Sequence, residues 1–158
     1  MTQKNTPRGV PAGLDAALSP AMRSLLVKIA INRLALKDAR GNLDQAAEAL
    51  AGLAQRLRQV DETALGRRAE ALATADSDKR HGPYLELTEA MIQLAQQHPP
   101  GAIERAAMMG LVDQVNQIMA NAQEARRQEL GALLRLDALL QDAEAQQALE
   151  RKQGGGVH

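Results

Sequence analysis

The segment from residue 101 to about residue 152 is the longest helical signal in this chain, and it constrains the fold more than any other feature. It contains no proline, and its apolar residues recur at alternating steps of three and four in two runs: Met108, Leu111, Val115, Ile118, Ala122 and Ala125, then Leu136, Leu139 and Ala143. This spacing forms a seam along one side of a helix, which another helix normally covers. The chain is therefore predicted to be all-α, an antiparallel helical bundle or a long helical hairpin. Four to five helices are expected, with a long C-terminal helix.

The length of this segment raises a second question. A helix of about fifty residues is about 75 Å long, whereas a compact domain of this chain length is only about 40 Å across. Either the helix breaks, or the molecule is elongated and its protruding part meets a partner. Residues 120–129 contain no apolar residue larger than alanine, Glu129 occupies a seam position, and Gly131 follows. Both a break between residues 120 and 131 and a continuous helix are compatible with this pattern.

The first half of the chain carries clear helix-boundary signals. Ser19 and Pro20 combine a serine N-cap with proline at the first helical position. The first helix is predicted to end at Arg40, with Gly41 as its stop and Asn42 as the cap of a second helix that reverses direction. Apolar residues surround most of the first helix, which favours neighbours on several sides.

The second helix is predicted to follow the seam Leu43, Ala46, Leu50, Leu53, Leu57, Val60 and Ala64. Beyond Val60 either this helix continues with a shifted register to Ala73, or Asp61 caps a new helix. Residues 74–82 are predicted to form a loop, and a third helix is expected from Pro83 to the proline-rich break at residues 98–101. One domain is expected over residues 19–152, between a flexible leader at 1–18 and a disordered tail at 153–158.

Composition excludes several classes of chemistry. The chain has no cysteine, and Tyr84 is its only aromatic residue, so thiolate chemistry and aromatic stacking of bases or flavins are absent. A di-iron bundle site requires Glu-x-x-His motifs. The nearest match, Asp78 with His81, lies in the predicted loop. An enzyme is not expected, and neither is a metal or another cofactor. No segment is long and apolar enough to cross a membrane, and a cytoplasmic protein is the default.

Charge is unevenly distributed although it sums to zero. Residues 1–40 carry seven basic and two acidic side chains, whereas residues 83–158 carry six basic and ten acidic ones. The simplest interpretation is that the basic first helix packs near the acidic last segment. The alternative is that the first 40 residues bind an acidic partner, as in a nucleic-acid-associated accessory protein. Only Arg33, Lys37 and Arg40 share one helical face, which does not favour a focused nucleic-acid patch.

The pattern as a whole favours a protein–protein interaction or assembly module, such as an adaptor, a scaffold or a secretion-associated protein, that acts through coiled-coil-like helix docking. The expected partner is another protein or a second copy of this chain. The candidate docking residues are Leu133, Leu136, Leu139 and Leu140, because the polar stretch that follows them offers little to cover them. The competing interpretation is that these leucines close the intramolecular core.

Overall fold

The computed structural model describes residues 18–157, and over this range the chain forms four α-helices and no β-strand. The helices are α1 (Pro20–Val60), α2 (Arg67–Thr74), α3 (His81–Gln96) and α4 (Ile103–Val157). A π-helical segment (Glu62–Gly66) precedes α2, and a 3-10 turn (Ser77–Lys79) precedes α3. The all-α prediction and the long C-terminal helix are confirmed, with four helices.

Helix α1 begins where the sequence predicts. The Ser19 hydroxyl oxygen accepts a hydrogen bond from the Met22 backbone N–H at 3.1 Å, which satisfies one of the free donors of the first turn. Pro20 occupies the first helical position, where its missing N–H costs nothing.

The predicted reversal at Gly41 and Asn42 is wrong, because α1 runs through both residues without interruption. A glycine ends a helix when it takes a positive φ, and among the described glycines only Gly101 does so. A second reason lies in the seam of α1, which keeps its three-four spacing across the supposed turn. Its members are buried or half-buried: Met22, Leu25, Ile29, Asn32, Leu36, Ala39, Leu43, Ala46, Leu50, Leu53 and Leu57.

Helix α1 ends at Val60, and Asp61 caps the next helical segment, which is one of the two alternatives that the sequence allowed. Asp61 has extended backbone, and its Oδ1 accepts from the Ala64 N–H at 2.8 Å. The loop predicted at 74–82 contains the 3-10 turn, and α3 starts at His81 instead of Pro83. The break at 98–101 is confirmed, with Gly101 at a φ of 88°.

Helix α4 is continuous from Ile103 to Val157, so of the two alternatives at residues 120–131 the unbroken helix is found. Ala132 is fully buried and fills the seam between Glu129 and Leu136. The helix extends five residues past its predicted end at Lys152, so residues 153–157 of the predicted disordered tail are helical. Residue 158 and residues 1–17 of the predicted leader lie outside the described residues.

The contacts of the chain group into two compact units. The larger unit comprises residues 37–129 and has a continuous apolar core. Its largest fully buried side chains come from all four helices and the π-helical segment: Leu50, Leu53, Leu57, Leu65, Leu72, Leu87, Met91 and Val115. A single domain over residues 19–152 requires that the two units unfold cooperatively, and it stays a prediction.

Over the described residues the smaller unit comprises residues 18–36, of which 20–36 belong to α1, and residues 130–157 of α4. It buries Met22, Ile29, Ala132 and Leu136 along the seams of the two helix segments. The Arg135 Nε donates a hydrogen bond to the Asn32 Oδ1 at 2.7 Å, which links the two segments. Over its described residues this unit has no third helix, so the outer faces of both segments remain open.

Candidate protein-docking surface

The four predicted leucines fall on two different faces of α4. Leu136 is 8% exposed and Leu139 is half-buried, so both belong to the seam. Leu133 and Leu140 are exposed, at 38% and 44%. The structure therefore assigns two of the four to the interior of the smaller unit and leaves two available to a partner.

The two exposed leucines belong to a wider apolar surface on α4, which we call the α4 stripe: Leu130, Leu133, Leu134 and Leu140. At about 100° per residue these side chains cover an arc of about 120°, beside the seam. Leu134 is 72% exposed, the largest value of the four. The sequence prediction missed Leu130 and Leu134. The sequence signal for these two residues was the spacing of leucines at positions 130, 133 and 134, which places a second apolar row next to the seam.

A second apolar surface lies on the first half of α1, and we call it the α1 stripe: Leu26, Val27, Ile31 and Leu34. These residues face away from the α1 seam, on roughly the opposite side of the helix. Ile31 and Leu34 are 59% and 62% exposed. The sequence had predicted neighbours on several sides of this segment, and within the described residues the α1 stripe has none.

The exposed apolar side chains are concentrated in the smaller unit. Among the residues whose burial the structure describes, thirteen large hydrophobic residues are exposed, and nine of them lie in the smaller unit, although this unit has about half as many described residues as the larger one. Single exposed leucines are ordinary on any protein surface, whereas a concentration of this kind marks an interaction surface. The two stripes are therefore the best candidate for a functional site.

The two stripes carry opposite charges. Arg23 and Arg33 lie within or at the border of the α1 stripe, and residues 18–36 contain no acidic side chain. Asp137 and Glu144 lie within the arc of the α4 stripe, one heptad apart, and Arg151 follows on the same arc one heptad further along. The two stripes are complementary in polarity, since both are apolar, and in charge, since basic groups border one and acidic groups border the other.

The basic face predicted for nucleic acid is partly used inside the larger unit. The Arg40 Nε donates to the Glu129 Oε2 at 3.2 Å, and Arg126 donates to the other oxygen of the same carboxylate. Burial raises the pKa of the Glu129 carboxyl, but the hydrogen bonds and charges of Arg126 and Arg40 outweigh it and hold the pKa below its ordinary value. Arg40 is thus neutralised, which leaves Arg33 and Lys37 of the shared face.

Among residues 18–157 no group of histidine and carboxylate side chains is placed to hold a metal ion. His98 lines a cleft of about 350 Å³ together with the carboxylates of Asp61 and Glu104, and the rest of its lining is apolar. None of the helices described here combines the length and apolarity that a membrane crossing requires.

Comparison of this chain with protein-family models, with curated proteins and with solved structures gave no match.

Proposed function

We propose that this chain is a protein–protein interaction and assembly module that docks through the two stripes of its smaller unit, and that its partner is a second copy of itself. The observation that carries the proposal is the concentration of nine exposed large apolar residues in the described part of the smaller unit, which consists of two helix segments. Burying such side chains stabilises an interface by roughly 25 cal/mol per Å² of apolar surface removed from water.

Charge complementarity selects the second copy over an unrelated partner. In the proposed arrangement the basic α1 stripe of one copy covers the acidic α4 stripe of the other, and the reciprocal contact follows from two-fold symmetry. Arg23 or Arg33 would then face Asp137 or Glu144 across the interface. Each chain supplies both halves of this match, so no other protein is needed to complete it.

The resulting assembly would be a four-helix bundle with two segments from each copy. The antiparallel pairing of α1 with α4, as in a long helical hairpin, is part of the same proposal. Its support within the larger unit is the reversed order of contacts between α1 and α4. Arg40 bonds Glu129, whereas Arg56, sixteen positions later, donates to Gln114 at 3.2 Å. Small seam residues such as Ala39 and Ala122 allow a close approach of two helices. A cytoplasmic location stays a prediction.

The proposal is tested with variants of the most exposed stripe residues. Leu134→Lys and Leu34→Lys place a charge in the proposed interface and should each raise the dimer dissociation constant at least tenfold, measured by size exclusion with light scattering. Leu85→Lys is the matched control, because Leu85 is 50% exposed in the larger unit. Its dissociation constant should not change. If both stripe variants associate like the wild type, the interface lies elsewhere and the proposal fails.

Exchanging two opposite charges in one chain tests whether the partner is a second copy of that chain. Arg33→Glu should weaken association, because it places a carboxylate opposite the acidic stripe of the other copy. Adding either Asp137→Arg or Glu144→Arg in the same chain should restore association in large part, depending on which carboxylate faces residue 33. If neither double variant associates more strongly than Arg33→Glu alone, the pairing of α1 with α4 of the second copy is wrong.

A further inference from the structure

A small cavity in the larger unit lies where the chain before α3 covers one face of α4. Its walls are Ser77 and Arg80 on one side, and four residues at helical spacing on the other, namely Met119, Ala122, Gln123 and Arg126. The cavity volume is about 140 Å³. A single water needs only about 10–15 Å³ by this measure, so the cavity has room for a group of several heavy atoms.

Arg80 is the unusual residue of this cavity. It is 8% exposed, and its Nε is buried with no hydrogen-bond partner. Asp76 and Asp78 are its closest acidic residues in sequence, yet both are exposed, and neither forms a salt bridge with Arg80 in the part of the chain that the structure describes. Arginine is almost never buried without a partner, because removing its charge from water costs several kcal/mol unless an opposite charge compensates.

The surroundings of Arg80 are positive. A second guanidinium, that of Arg126, lines the cavity, and no lining residue is acidic. Arg126 gives one N–H to Glu129, which it shares with Arg40, so this single carboxylate already serves two arginines. Arg80 is also the N-cap residue of α3, whose N-terminus has no side-chain cap. The positive end of a sixteen-residue helix therefore lies at the same wall.

We propose that this cavity binds a phosphate group. Two guanidinium groups present planar pairs of N–H donors, which fit the oxygens of a tetrahedral oxyanion. The Ser77 hydroxyl and the Gln123 amide provide neutral donors, and the uncapped helix N-terminus favours the negative charge. The phosphate would supply the opposite charge that Arg80 lacks. Both inorganic phosphate and a phosphoryl group on a larger molecule present this chemistry.

The experiment follows thermal unfolding of the full chain by circular dichroism in sodium phosphate and in sodium chloride of equal ionic strength. Bound phosphate should raise the unfolding midpoint above its value in chloride, and the rise should grow with the logarithm of the phosphate concentration. Arg80→Gln should leave only the small rise that phosphate gives any folded protein through its exclusion from the protein surface. Arg67→Gln is the matched control, since Arg67 is exposed and lies outside the cavity, and it should keep the full difference.

A second measurement needs no variant. Phosphorus NMR of wild-type protein titrated with inorganic phosphate should show a saturable shift or broadening of the phosphate signal. Phenyl phosphate, used in the same titration, distinguishes the sources: equal or tighter binding points to an esterified phosphoryl group, and loss of binding points to free phosphate. No saturable signal with either probe, or equal stabilisation of the wild type and Arg80→Gln, would overturn the proposal.

Discussion

The substitution Gly41→Ala tests whether α1 is one continuous helix. Gly41 is exposed, and a Cβ built on it meets no atom within 4 Å, so the substitution adds no steric contact. What remains is the backbone preference, which favours alanine over glycine inside a helix by about 1 kcal/mol. We therefore expect Gly41→Ala to raise the free energy of unfolding by about 1 kcal/mol.

Gly101→Ala is the matched control, because a Cβ there also meets no atom within 4 Å but φ is 88°. Alanine is strained at a positive φ, and the expected loss is about 1–2 kcal/mol. Both variants are compared with the wild type by urea unfolding, followed by circular dichroism at one fixed protein concentration. If Gly41→Ala lowers the free energy of unfolding as Gly101→Ala does, a turn interrupts α1 at this residue and the reasoning is refuted.

Two further predictions concern the close approach at Gly66 and the ion pairs of Glu129. Gly66→Ala should destabilise the protein by about 1–3 kcal/mol in the same urea assay, because its Cβ would lie 2.9 Å from the Arg58 Cα; Gly52→Ala, where the space is open, should be neutral or stabilising. Glu129→Gln should cost about 1 kcal/mol at neutral pH, since charge-assisted bonds to two half-exposed arginines are lost. The pKa of this carboxyl is lowered by folding, so its contribution is complete above the unfolded-state pKa of about 4.3 and declines as pH falls through the lower folded-state value. A difference between wild type and Glu129→Gln that does not shrink below about pH 4 would contradict this account.

Much of the fold could be predicted from spacing and capping residues. Ser19 with Pro20 marked the start of α1, and Asp61 marked the next boundary. The error at Gly41 has a physical origin, since glycine ends a helix only where the surrounding structure favours a positive φ, and its position in a sequence does not reveal this. The three-four pattern from Met22 to Leu57 does reveal continuity, but only when it is followed across the glycine.

The candidate site was only partly predictable. Leu133 and Leu140 could be selected because the polar stretch after them offers little to cover them. Separating them from Leu136 and Leu139 required knowing which helix face the rest of the chain covers. Arg80 carried no sequence signal at all, because its burial arises from the packing of residues 75–80 onto α4, a contact between distant parts of the chain.

The most direct test of the central claim is sedimentation equilibrium of the wild-type protein over a range of concentrations. If the two stripes pair two copies of this chain, the measured mass approaches twice that of one chain as concentration rises, and Leu134→Lys shifts this transition to higher concentration. A mass equal to that of one chain across the whole range would contradict self-association through the smaller unit.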